Sequence, residues 1–94
     1  MLGDDFIKKL DEYVRHDLKY WSNWNLDKDA KIVWNYDHAS DFWYGHTIGL
    51  VTRTAIQIFI DIYKRNPTQL EDLAIIEKIN EYSKEYKKCF EKLK

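Results

Sequence analysis

Carboxylates and imidazoles gather in one short stretch, Asp37-His38-Ala39-Ser40-Asp41, with His46 little more than a helical turn further on. His38 and Asp41 are three residues apart and Asp37 and Asp41 four apart, spacings that bring side chains to one side of a helix. An imidazole beside a carboxylate can hold a divalent cation or relay a proton. A shared metal would need more, because at about 100° per residue His38, Asp41 and His46 fan over roughly 140° of a helix. His16-Asp17 would have to complete the set. Acids at a helix start are expected in any case as caps and dipole partners, and that reading is preferred. No metal is therefore assigned, with His38, Asp41 and His46 kept as weak candidates, and no cofactor is implied.

A second constellation is aromatic: Tyr20, Trp21, Trp24, Trp34, Tyr36, Trp43 and Tyr44. Such rings can line a pocket for a flat ligand or stack on bases. Base stacking goes with a basic groove, whereas this region carries Asp17, Asp27, Asp29, Asp37 and Asp41, which disfavours nucleic acid. Packing as the end of a bundle, or as anchors of an interface, is the more economical use of these rings. Trp34, Tyr36, Trp43, His46 and Arg53 are the binding candidates. Arg53 and His46 could clamp an anion, or Arg53 could pair with Asp61.

Gly45 and Gly49 stand four apart near the start of a long apolar run. Glycine costs about 1 kcal/mol against alanine inside a helix, so the pair is expected to mark a point of closest helix approach, with a backbone or a ring filling the groove. Cys89 cannot form a disulfide within the chain, and no Cys/His spacing suggests zinc. Ser/His/Asp arrangements, glycine-rich phosphate loops and HExxH are missing from the sequence. An enzyme is not the favoured reading.

The elements that must position these residues are helical. The chain has 94 residues, 45% hydrophobic and 33% charged, with a formal net charge of −1. That size suits one domain, residues 1–94, with one core, and the charge gives no field to recruit nucleic acid or an anionic membrane. Without a signal-peptide pattern or an uncharged membrane-length run, a cytoplasmic protein is expected. Ile7, Leu10, Val14, Leu18 and Trp21 predict a first helix over about 4–22, with Phe6 and Tyr13 widening the stripe. A second helix is predicted over about 40–66, capped by Asp37 or Ser40. It carries two ladders: Tyr44, Ile48, Val51, Ala55, Ile58 and Ile62, and beside it Phe42, Gly45, Gly49, Thr52, Ile56, Phe59 and Tyr63.

Pro67 stops that helix, and Thr68-Gln69-Leu70-Glu71 has the form of a capping box. Proline at the first helical position after Asn66 is the alternative. A third helix over about 68–93 comes next, with Ile75, Ile79, Tyr82, Tyr86, Cys89 and Leu93 facing inward. Turn residues from Asn23 to Asp29 permit a short extra helix near 27–34, preferred over a lone strand at 32–36.

The fold class is thus all-α, a small antiparallel bundle of three main helices. A long hairpin beside a shorter first helix leaves surface that a second copy could cover. The functional expectation is a small soluble helical interaction, adaptor or regulatory protein acting as a homodimer or higher homo-oligomer. The alternative is a ligand- or metal-binding module, or an enzyme, using the aromatic pocket with His38, Asp41, His46 and Arg53.

Overall fold

The computed structural model describes residues 2–24 and 37–91. The predicted short helix near 27–34, and with it Trp34 and Tyr36, lies outside the described residues. Within them every regular element is a helix: α1 (Asp4–Ser22), α2 (Ala39–Tyr63), α3 (Gln69–Asn80) and α4 (Ser83–Phe90).

α1 forms where the sequence predicts it, with Asp4 and Asp5 at its positive end and Lys19 in its last turn. Its inward stripe is Phe6, Leu10, Val14, Leu18 and Trp21. Phe6 takes the first core position and Ile7 is only partly buried. α2 runs back along α1. Phe6 meets Phe59 at one end with ring centroids 6.0 Å apart, and Trp21 meets Trp43 at the other at 6.3 Å.

The buried line of α2 is Trp43, Thr47, Val51, Ala55 and Phe59, a strict four-residue step. It passes between the two predicted ladders, and Trp43 and Thr47 belong to neither. The 3-4 alternation of those ladders suits a long supercoiled seam, whereas this helix inclines across its neighbours along an i±4 row. Its start also differs from prediction, since His38 occupies the N-cap, without a side-chain capping bond, and Ser40 is already helical. Its end comes at Tyr63 rather than Asn66. Lys64 adopts the left-handed conformation (φ 60°, ψ 31°) and its N–H returns to the Ile60 carbonyl at 2.8 Å.

The turn into α3 is fastened by side chains. The capping box is present in both directions, Glu71 N–H to Thr68 Oγ1 at 3.2 Å and Thr68 N–H to Glu71 Oε1 at 2.9 Å. Arg65 donates to both Glu71 carboxylate oxygens, at 2.7 and 3.0 Å, while its guanidinium lies 5.2 Å from the Phe59 ring centre.

The predicted third helix is two helices. At Glu81 and Tyr82 the backbone bonds tighten to i→i−3, Glu81 N–H to Lys78 O and Tyr82 N–H to Ile79 O, which interrupts the α pattern. α3 packs on α2 with Ile75 and Ile79, and α4 turns Tyr86 and Phe90 onto α1 as well as α2. Phe90 is fully buried where Cys89, half-buried, was expected to face the core.

Two tyrosine hydroxyls then reach acids of α1, Tyr82 to Asp11 Oδ1 at 3.1 Å and Tyr86 to Asp17 Oδ2 at 2.8 Å. Arg15 bridges the same seam to Glu85 at 2.9 Å. Burial, with Asp17 adding, pushes the Tyr86 hydroxyl well above its ordinary range.

Candidate functional site

The acid and imidazole residues at the start of α2 do not converge. His38, Asp41, His46 and Arg53 are all exposed, and the described residues hold no group of three His, Cys, Asp or Glu arranged to hold a metal ion. His46 and Arg53, seven residues apart, are separated by about 10 Å of helix, too far for both to grip one small anion directly. The His46 ring instead lies parallel to Phe42 with centroids 6.2 Å apart and edge-on to Trp43 at 5.4 Å. Asp61 accepts from Gln57 Nε2 at 2.9 Å, so the carboxylate considered for Arg53 has a neighbour on its own helix.

Trp43, expected at a binding surface, is a core residue only 8% exposed. It packs with Trp24 at 4.9 Å and Phe42 at 5.1 Å. Trp21 joins the same cluster and brings in Phe90 at 5.3 Å. Trp21, Trp24 and Trp43 of the aromatic cluster are therefore packed together at one end of the bundle. Tyr20 is exposed beside it, in a shallow depression of about 500 Å³ with His16, Lys19, Asn23 and Trp24. Tyr44 lies apart from these rings, under the Lys87 ammonium at 5.4 Å.

The glycine pair, expected at a close approach, has no such neighbour among the described residues. Gly45 and Gly49 are both exposed, and a Cβ built on either meets no atom within 4 Å among the described residues. Among the described residues nothing closes on the pair, because α2 turns its four-step line inward and the glycines fall on the other side of the helix. Gly3 is the crowded glycine: a Cβ there would fall 2.5 Å from the Tyr63 hydroxyl oxygen, the same atom that accepts from Gly3 N–H at 3.2 Å.

The surface that does stand out is one that the sequence reading misses. On α3, Leu70, Leu73 and Ile76 are 64%, 51% and 54% exposed. Ile75 and Ile79 already bury the opposite side, so this short helix carries large apolar side chains on its outer side as well as its inner one. The sign is present in the spacing: residues 70, 73 and 76 succeed one another at three-residue steps off the inward ladder.

Beside this stripe, α2, α3 and the start of α4 border a groove of about 120 Å³, lined by Tyr44, Ile48, Thr52, Ile76, Ile79, Asn80 and Ser83. Its walls are aliphatic and aromatic, with hydroxyl and amide groups at the edges. Thr52 Oγ1 donates to the Ile48 carbonyl at 2.8 Å, which satisfies its polar group within its own helix. Such a groove can take an apolar side chain; it offers no acid, base or nucleophile with a partner poised to activate it.

No protein-family model, curated protein or solved structure matches this chain. No helix among the described residues is long and apolar enough to cross a membrane.

Proposed function

We propose that this chain works by association: a small helical interaction or adaptor protein that acts as a homo-oligomer. The observation that supports this reading is the exposed stripe Leu70, Leu73 and Ile76 on a helix whose other face is already in the core. Together these side chains leave on the order of 300 Å² of apolar surface in water, comparable with the largest patch of an ordinary monomer. Leu50 on α2 adds a further exposed aliphatic side chain.

Half-exposed leucine and isoleucine lose about 25 cal/mol per Å² of stabilisation that burial would supply. A face of this kind is stabilised by covering it with another protein surface. The test is sedimentation velocity of the full chain over a hundredfold range of concentration. The expected result is a mass that rises from 11.5 kDa towards a multiple of it. A constant monomer mass throughout, with no partner in the solution, overturns the homo-oligomeric reading.

A further inference from the structure

We draw no further inference here: the strongest candidate, the apolar outer face of α3 formed by Leu70, Leu73 and Ile76 beside the α2/α3 groove, carries nothing because nothing among the described residues shows what covers it.

Discussion

The Tyr86 hydroxyl donates to Asp17 Oδ2 at 2.8 Å, from a side chain with no exposed surface to one on the neighbouring helix 69 residues earlier. Four residues before it, Tyr82 makes the equivalent bond to Asp11 at 3.1 Å. The pair ties α4 to α1, beginning at the turn where Glu81 and Tyr82 break the α pattern.

Tyr86→Phe keeps the ring and deletes the bond to a carboxylate. Urea denaturation should show a loss of about 1.5–3 kcal/mol, the range for hydrogen bonds to charged groups. Asp17→Asn combined with Tyr86→Phe should cost less than the sum of the two single changes, because the residues share one interaction. Additive losses would remove Asp17 as the partner.

Glu71 gives a pH signature. The hydrogen bonds from Arg65, followed by the Thr68 backbone N–H, lower its carboxyl from the ordinary 4.5 to about 2. A carboxyl depressed in the folded state contributes stability that is fully present above its unfolded pKa and is lost as pH falls through the folded one. The difference in denaturation midpoint between the parent chain and Glu71→Gln should therefore be constant above about pH 5 and shrink between about pH 4.5 and 2. A difference that stays level across that window would separate Glu71 from acid stability.

Thr47 sits in the core line of α2 at 1% exposure, and its Oγ1 has no hydrogen-bond partner among the described residues. A buried hydroxyl without a partner costs about 1–3 kcal/mol of desolvation. Thr47→Val retains the branched shape and removes that group, so thermal unfolding should move upward, by about 1 kcal/mol or more in stability. A variant that melts lower would mean that the hydroxyl is satisfied in solution.

Gly45→Ala and Gly49→Ala address the glycines directly. With nothing within 4 Å of either added Cβ among the described residues, each substitution should raise stability by about 0.5–1 kcal/mol through helix propensity alone. A close approach at these positions would instead make alanine destabilising and Gly49→Leu disruptive.

Much of the scaffold is legible along the chain. Local rules fix α1 from its apolar stripe and acidic start, and they fix the turn before α3 from Pro67 and the Thr68/Glu71 box. In each case the deciding interactions lie within a few residues of one another. The position of the proposed surface emerges only weakly from the same rules, since Leu70, Leu73 and Ile76 are apolar residues in a helix like any others until the rest of the bundle is in place.

What only the tertiary structure decides is the rotation of each helix about its axis. α2 is apolar on several sides, so its sequence permits two inward ladders. Packing against α1 and α4 selects a third line through Trp43, Thr47, Val51, Ala55 and Phe59 and turns Gly45, His46, Gly49 and Arg53 outward. Likewise two hydroxyls, at the break and just after it, reach Asp11 and Asp17 across more than sixty residues of chain. Periodicity determines that these residues are helical and which ones are apolar. Which apolar residues stay in water depends on neighbours that the local sequence does not contain.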